Sequence, residues 1–190
     1  AMKTDAARSC NVSTPNGPFT LVRAMVVADG AADGVARTDD VLASGWTAEI
    51  AELVGLIHPS LRPSHTEALP EVECDGLLAR AVAAVRSYYR GESSAPGDVP
   101  VLQVGGPFIE RAWSRLREVP AGTNSYTELA RISGNPAASW AAASACARNA
   151  AALFVPCLRV RRSDGGIGRF RYGVAVKSAL LCREKTSGLE

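Results

Sequence analysis

The sequence is poor in the residues that build metal sites and disulfide scaffolds. It has only two histidines, His58 and His65, and five widely spaced cysteines, with no CxxC motif and no cysteine–histidine ligand pattern. An odd number of scattered cysteines argues against a disulfide framework. We therefore expect no metal, no cofactor and a reduced, cytoplasmic setting.

Long apolar runs are also missing. No run of about 18 apolar residues occurs, as a membrane-spanning helix would require. The first residues lack the basic stretch and apolar segment of a signal peptide. We expect a monomer without membrane association.

Charge is nearly balanced overall but not along the chain. The net charge is +2, yet residues 1–100 hold 8 basic and 13 acidic residues, whereas residues 101–190 hold 13 basic and 6 acidic ones. A basic half predicts a polyanionic partner. A dipolar protein without such a partner would show the same imbalance, because net charge alone does not specify a ligand.

The first half has the signals of a small α/β unit. A turn around Pro15 and Asn16 precedes a strand over 19–22, which continues or is followed by another over 24–27. Asp29-Gly30 and Asp33-Gly34 predict turns. Apolar residues at helical spacing predict helices over 47–57 and 77–89. The proline-containing segment 58–65 predicts a loop, and the Ser/Pro/Gly-rich segment 91–97 a linker.

The second half has sharper helix signals. A short strand over 99–104 precedes a helix that begins at Pro107 and ends before 120–122. Ser125 and Glu128 have the spacing of a capping box, and the helix they open ends near Gly134. Asn135 caps the next helix, over 137–148. Two short helices with this connection predict a helix-turn-helix, and a last helix follows over 174–184.

These elements predict an α+β fold with two units. Residues 1–97 would form a small N-terminal α/β domain with a short antiparallel sheet. Residues 98–190 would form a mainly helical domain with the helix-turn-helix and a Pro-Cys motif.

The second half resembles the O6-alkylguanine-DNA alkyltransferase family over about 80 residues. The resemblance is carried, in order, by Phe108, Trp113, Pro120-x-Gly122, Ser125-Tyr126-x-x-Leu129-Ala130, Gly134-Asn135-Pro136-Ala137-Ala138, Asn149, Val155-Pro156-Cys157-x-Arg159-Val160, Gly165, Gly168, Gly173, Lys177, Leu180-Leu181 and Glu184. Short stretches at 14–21 and 88–92 resemble the two ends of the family's N-terminal domain.

The resemblance implies single-turnover DNA repair. Cys157 would accept the alkyl group of O6-alkylguanine, with Glu184, Tyr126 and Asn149 as further catalytic residues. The second helix of the helix-turn-helix would dock in the minor groove of double-stranded DNA while the damaged base is flipped out. On this expectation the DNA-binding residues are Trp140, Ala141, Ser144, Arg148 and Arg159, and the base pocket is lined by Val160, Phe170, Arg171 and Tyr172.

The sequence departs from the family at three functional positions. The family's Pro-Cys-His-Arg is Pro-Cys-Leu-Arg here, so Leu158 replaces the histidine of the glutamate–histidine–water–cysteine relay. We expect Glu184 to have found a substitute partner or solvent, because a buried unpaired carboxylate is costly. Trp140 stands at the arginine-finger position, where it could wedge into a base stack. Tyr172 replaces a glycine and should narrow the base pocket.

Other functions stay open at this stage. The chain could be an alkyltransferase-like thiol protein that acts on a small molecule or a protein, or a DNA lesion binder without transfer activity. Cys157 itself could be an inert buried thiol. A phosphate-binding patch could form from the arginines of the segment that follows Cys157, namely Arg159, Arg161, Arg162, Arg169 and Arg171.

Overall fold

The computed structural model describes residues 2–4, 6–31, 34–121 and 124–187, of which 29–31, 34–36 and 187 are described by their backbone alone. Its first half is built on a five-stranded sheet. The strands are β1 (Met2–Lys3), β2 (Ala6–Thr14), β3 (Gly17–Ala31), β4 (Gly34–Gly45) and β5 (His65–Leu69). β3 pairs antiparallel with β1, β2 and β4, while β5 joins β2 in parallel. The fold is therefore α+β, as the sequence predicts.

The sheet is larger than the sequence signals suggest. The β2–β3 hairpin turns at Pro15-Asn16, with Thr14 opposite Gly17, as expected. β3 extends through Asp29-Gly30, so the turn expected there is wrong. The turn expected at Asp33-Gly34 lies partly outside the described residues. β2 and β4 carry many polar and alanine residues, which hide the alternation by which strands are usually detected.

Two helices cover the sheet. α1 (Ile50–Leu56) is shorter than the helix expected over 47–57, and α2 (Gly76–Tyr89) agrees with the one expected over 77–89. α2 buries an apolar stripe that includes Leu78, Val85 and Tyr88 against the core face of the sheet. Short 3₁₀ turns at Glu71–Glu73 and Ala95–Asp98 connect these elements to their neighbours.

Within its described residues, the second half contains four α-helices: α3 (Pro107–Glu118), α4 (Tyr126–Ile132), α5 (Ser139–Arg148) and α6 (Val174–Ser187). A two-stranded parallel pair, β6 (Asn124–Ser125) with β7 (Val160–Arg161), lies beside α4. The segment 99–104 forms no strand in the described structure and makes one bridge, between Val101 and Val41. The strand expected there is absent because this segment pairs with β4 at a single point.

The helix-turn-helix is formed by α4 and α5. The Ser125 hydroxyl accepts a hydrogen bond from the Glu128 amide at 3.1 Å, which is the first half of the expected capping box. Glu128 does not reach back, because its carboxylate pairs with Arg131. Gly134 follows α4 with φ of 91°, a left-handed conformation that glycine adopts without strain. α5 begins two residues later than expected, with Ala138 as its N-cap.

The edge of β4 holds the segment that leads to Cys157. Ser44 accepts a backbone hydrogen bond from Ala152 at 3.1 Å and donates one to the Ala150 carbonyl at 2.9 Å. The Ser44 hydroxyl also donates to the Ala152 carbonyl at 2.7 Å. One edge of the first-half sheet therefore fixes the chain five residues before Cys157.

The shared core is a hydrophobic cluster that contains residues of both halves of the chain. It joins Phe19 and Leu78 of the first half to Phe154, Leu158 and Leu181 of the second. A second cluster lies among α3, α4 and α5, around Leu116 and Leu129. No helix in the described part of the chain is both long and apolar enough to cross a membrane.

A glycine of β4 makes room for the loop that precedes α6. A Cβ atom at Gly45 would overlap the ring and hydroxyl of Tyr172. The Tyr172 hydroxyl donates to the Ser44 carbonyl at 3.3 Å, and its ring contacts Trp46 edge-on at 5.5 Å between centroids. Tyr172 and Gly45 are thus sterically matched.

We expect Gly45→Ala to lower the free energy of unfolding by about 1–3 kcal/mol, because Tyr172 must leave its place or the strand must shift. The double variant Gly45→Ala with Tyr172→Gly should lose less free energy of unfolding than the sum of the two single variants, because it no longer contains the clash. The measurement is a double-mutant cycle by urea denaturation. Gly55→Ala on α1 is the matched control: it has open space around it, and we expect it to be neutral or slightly stabilising. Full additivity of the two substitutions would contradict the steric match.

Candidate functional site

Asn149 organises the turn that carries Cys157. Its side-chain nitrogen donates to the Val155 carbonyl at 2.8 Å and to the Cys157 sulfur at 3.3 Å. Its oxygen accepts from the Ala151 amide and from the Gln103 side chain, both at 3.1 Å. Gln103 in turn accepts from the Ala150 amide at 2.8 Å. One buried amide therefore closes the turn and points a donor at the thiol.

Backbone strain is present in the same turn. Leu153 adopts a φ of 75°, a left-handed conformation that is unfavourable for a branched aliphatic residue. Leu153 lies in the chain between Asn149 and the Pro156-Cys157 motif. Its side chain is buried in the shared core. Non-glycine residues persist in such conformations only where their surroundings enforce them. The surrounding contacts therefore hold the backbone of this turn in a strained conformation.

The pKa of the Cys157 thiol is subject to opposing effects. Burial raises its pKa, while the Asn149 hydrogen bond and the positive charges of Lys177 and Arg171 lower it, with burial prevailing. Tyr126 lies near the same sulfur, and burial raises the pKa of its hydroxyl to about 12. Tyr126 therefore remains a protonated hydrogen-bond donor at neutral pH.

Glu184 has the substitute partner that we expected. Its carboxylate accepts from Arg159 Nε at 3.0 Å and from the Tyr88 hydroxyl at 3.2 Å, and the carboxylate side chain is almost fully buried. Arg159 completes its hydrogen bonding with the Val119 and Ser93 carbonyls. Leu158, in the position of the family histidine, lies buried in the shared core.

Arg159 therefore does not belong to a DNA-binding surface, and this expectation is wrong. Its guanidinium forms an ion pair with the buried Glu184 carboxylate. A charge buried in this way requires an opposite charge beside it. The predicted arginine patch is further reduced because Arg162 pairs with Asp164 at 2.7 Å. Arg169 and Arg171 remain exposed, and Arg161 is half-buried.

The loop before α6 bridges the two halves. Phe170 and Tyr172 contact Trp46 with ring centroids 5.9 and 5.5 Å away. Between them, Arg171 donates to the Ala147 carbonyl near the end of α5. Arg171 lines two clefts, one of about 280 Å³ that it shares with Leu102 and Arg148, and one of about 570 Å³ that it shares with Tyr172 and Trp46. Neither of these clefts is lined by Cys157, so neither is an open base pocket at the thiol.

The exposed face of α5 carries the other predicted DNA-binding residues. Trp140 is 90% exposed, and Ser144 and Arg148 follow it on the same face at intervals of four residues. Ala141 is half-buried behind them. Ala142 and Ala145 pack against α3, where Trp113 donates to the Ala145 carbonyl at 2.8 Å. Small residues on the inner face let α5 lie close to α3 and present its outer face.

The remaining candidates are Val160, predicted to line the base pocket, and the two histidines of the chain. Val160 is fully buried in the second cluster, and its carbonyl, rather than its side chain, faces the site by accepting from Lys177. His58 contacts Ser60 and His65 begins β5, and neither is among the groups that act on Cys157.

Sequence reasoning gave no site role to two residues, Gln103 and Lys177, although Lys177 is among the residues that carry the family resemblance. Gln103 had no signal, because its role depends on a tertiary contact with Asn149. Lys177 had one: it lies three, four and seven positions before Leu180, Leu181 and Glu184, the spacing of one helix face. That periodicity predicts that Lys177 is buried with them.

We expect Arg159→Met to lower the free energy of unfolding by about 3–5 kcal/mol, because it leaves the buried Glu184 charge unpaired. The double variant Arg159→Met with Glu184→Met should recover part of the loss. Both are measured by urea denaturation at neutral pH. The control is Arg131→Met, which breaks an exposed pair with Glu128 and should cost less than about 1 kcal/mol. Equal losses for Arg159→Met and the control would contradict the buried pair.

Comparison with known proteins gives consistent matches. The family model described as "6-O-methylguanine DNA methyltransferase, DNA binding domain" matches residues 107–186. The chain is 43% identical over 94 residues to the bifunctional transcriptional activator/DNA repair enzyme Ada of Escherichia coli, covering 49% of this chain but 27% of that protein. It thus spans only about a quarter of Ada.

Shorter relatives are covered more fully. The chain is 34% identical over 131 residues to the methylated-DNA–protein-cysteine methyltransferase of Mycobacterium leprae, covering 68% of this chain and 77% of that protein. The crystal structure of the Mycobacterium tuberculosis O6-methylguanine methyltransferase superposes with a TM-score of 0.68 at 25% identity, covering 95% of this chain and 94% of the other. The same enzyme in complex with DNA gives a TM-score of 0.65 at 25% identity and the same coverage. On these matches, the chain belongs to the methylated-DNA–protein-cysteine methyltransferase family.

Proposed function

We propose that this protein is a DNA repair alkyltransferase that moves an alkyl group from O6-alkylguanine in DNA to its own Cys157. The observation that carries the proposal is the Cys157 thiol held by Asn149 in the turn that follows a helix-turn-helix. The names of the relatives support the repair function over the two alternatives, a thiol protein without a DNA role and a lesion binder without transfer.

The chemistry is a direct displacement. The sulfur lone pair of Cys157 attacks the alkyl carbon, a carbon–sulfur bond forms, and the bond from that carbon to guanine O6 breaks. The bonding electrons stay on the purine, the thiol loses its proton to solvent, and the purine takes up a proton from solvent, so that the proton count balances. Tyr126 has a protonated hydroxyl near the sulfur and is a second hydrogen-bond donor of the site, beside the Asn149 amide. The thioether formed on Cys157 is stable, so each molecule reacts once.

DNA would be bound by the exposed face of α5 in the minor groove. Trp140 would enter the base stack where the damaged nucleotide leaves it, as apolar side chains do in kinked DNA. Arg148 would contact a phosphate. Ser144 and Ala141 are small enough for the helix to approach closely. Tyr172, seated on Gly45, would form the wall of the base site and limit its size.

We further propose that the protein acts as a monomer with two units, 1–97 and 98–190. The first contains the five-stranded sheet with α1 and α2, and the second contains α3 to α6. The shared core and the Ser44 hydrogen bonds join them, so the first unit supports the turn that carries Cys157.

Incubation with a duplex that contains O6-methylguanine should add one methyl group to the intact protein, because the thioether persists. Intact-protein mass spectrometry measures the gain, and peptide mapping should locate it on Cys157. Cys157→Ala and an undamaged duplex are the controls. No gain at excess lesion and long incubation would overturn the proposed function.

Trp140→Ala should weaken binding to the lesion duplex by about 1–3 kcal/mol, because a stacked aromatic side chain is lost. The salt dependence of binding should not change, since tryptophan carries no charge. Arg148→Ala should instead reduce the slope of log K against log salt by about one. Fluorescence anisotropy measures both in a Cys157→Ala background, with Val72→Ala, an exposed apolar residue of the first half, as the neutral control. Wild-type affinity in Trp140→Ala would exclude the wedge.

A further inference from the structure

Gln103 is a half-buried residue that lies two hydrogen bonds away from the Cys157 sulfur. Its side-chain nitrogen donates to the Asn149 side-chain oxygen at 3.1 Å, and the Asn149 nitrogen donates to the sulfur at 3.3 Å. Its own oxygen accepts from the Ala150 amide at 2.8 Å. Gln103 comes from the segment before α3, 46 positions before Asn149, so this contact is made only in the folded protein.

Backbone groups fix the orientation of the Asn149 amide. The Ala151 N–H donates to its oxygen at 3.1 Å, and the Val155 carbonyl accepts from its nitrogen at 2.8 Å. Rotation of the amide by half a turn would place N–H against N–H and oxygen against oxygen. One hydrogen of the nitrogen is used by Val155, and the second is therefore directed at the sulfur.

Gln103 occupies the second acceptor position of the Asn149 oxygen. An amide oxygen has two lone pairs, of which Ala151 uses one and Gln103 the other. A donor at the oxygen polarises the amide and strengthens the N–H donors at its other end. Asn149 is only 4% exposed, so water does not readily replace a lost donor. A change at Gln103 should therefore be felt at the Asn149 nitrogen.

Strand β4 holds the segments that carry both amides. Val41 donates to the Pro100 carbonyl at 3.0 Å and accepts from the Leu102 amide at 3.1 Å, which fixes the chain next to Gln103. Ser44 of the same strand holds the Ala150 carbonyl at 2.9 Å, next to Asn149. The Gln103 side chain bridges these two anchored segments, so its donor has a fixed origin.

The Asn149 hydrogen bond matters for the ionisation of the thiol. Burial raises the pKa of Cys157, and the largest of the effects that lower this pKa is the hydrogen bond from Asn149. The titratable and charged groups that face Cys157 come from other elements, namely Tyr126 of α4, Cys146 of α5, Arg171 and Tyr172 of the loop before α6, and Lys177 of α6. A neutral substitution at Gln103 alters none of these charges.

We propose that Gln103 is a positioning residue for alkyl transfer, which sets the place and the polarity of the Asn149 amide that holds the Cys157 sulfur. The inference rests on the proposed function for its purpose, but not for its test. Gln103 touches neither the sulfur nor the substrate, and it acts only through Asn149.

The test measures the reactivity of Cys157 without DNA. Iodoacetamide reacts with the thiolate, which displaces iodide, and the rate is followed from about pH 6 to about pH 10 by the mass of the peptide that contains Cys157. Gln103→Met and Gln103→Leu should each move the midpoint of the profile upward by about half a pH unit, which lowers the rate at neutral pH about threefold. Asn11→Met is the control, because it removes an amide that is hydrogen-bonded to Thr20 in the first-half sheet, and it should leave the profile unchanged.

A double-mutant cycle separates action through Asn149 from a general loosening of the site. In an Asn149→Ala background, Gln103→Met should no longer move the profile, because the donor that it supports is gone. Asn149→Ser is the second background, and circular dichroism and urea denaturation establish which variants are folded. An unmoved profile in both folded Gln103 variants overturns the inference. An equal shift with and without the Asn149 side chain overturns it as well.

A charged variant tests which of the two Gln103 hydrogen bonds matters. Gln103→Glu keeps an acceptor for the Ala150 amide but loses the donor to Asn149, and it should move the midpoint upward at least as far as Gln103→Met. A wild-type profile in Gln103→Glu would show that the Ala150 contact alone is sufficient, which contradicts the inference.

Failure of this inference and failure of the proposed function are distinguishable. A shifted iodoacetamide profile with no methyl transfer from DNA supports the role of Gln103 and contradicts DNA repair. Methyl transfer with an unshifted profile supports repair and contradicts the role of Gln103.

Discussion

The buried pair between Arg159 and Glu184 is the interaction on which the site depends. Two charges removed from water are tolerable only together, and here the Tyr88 hydroxyl and two backbone carbonyls satisfy what remains. The pair ties the chain two residues after Cys157 to α6 and, through Tyr88, to α2. Asn149 and the edge of β4 fix the chain before Cys157. The nucleophile is therefore held from both sides.

This arrangement has a chemical consequence. A carboxylate that neutralises a buried arginine cannot also serve a proton relay, and Leu158 offers no group that could carry a proton. The positive charges that lower the pKa of Cys157 are those of Lys177 and Arg171, and the effect of burial outweighs them. Lys177 lies on the same face of α6 as Glu184, seven positions before it, with the buried Leu180 and Leu181 between them. One face of α6 thus carries both a buried cation and the anion that pairs with Arg159.

The sequence predicts the helical part of the site well and its tertiary contacts poorly. Capping at Ser125, the left-handed Gly134 and the small residues of α5 are local signals, and they define the helix-turn-helix. Arg159 was assigned to the DNA-binding surface from the family resemblance and from its place in an arginine-rich segment. Its burial and its partner Glu184 depend on contacts between distant parts of the chain, which neither signal contains. β2 and β4 escaped detection since their alternation is blurred by alanine and polar residues. Gln103 had no local signal at all.

The loop over 170–172 shows why the first half matters for the chemistry. Tyr172 and Ser44 are 128 positions apart in the chain, yet the hydroxyl of one meets the carbonyl of the other. The space for that hydroxyl exists only because position 45 lacks a side chain. Arg171, next to it, holds the end of α5 and places its charge near Cys157. A displacement of Tyr172 would therefore move Arg171 as well, and with it both the last turn of α5 and part of the positive charge near Cys157. The edge of β4, the position of α5 and the ionisation of Cys157 are coupled through these two consecutive residues.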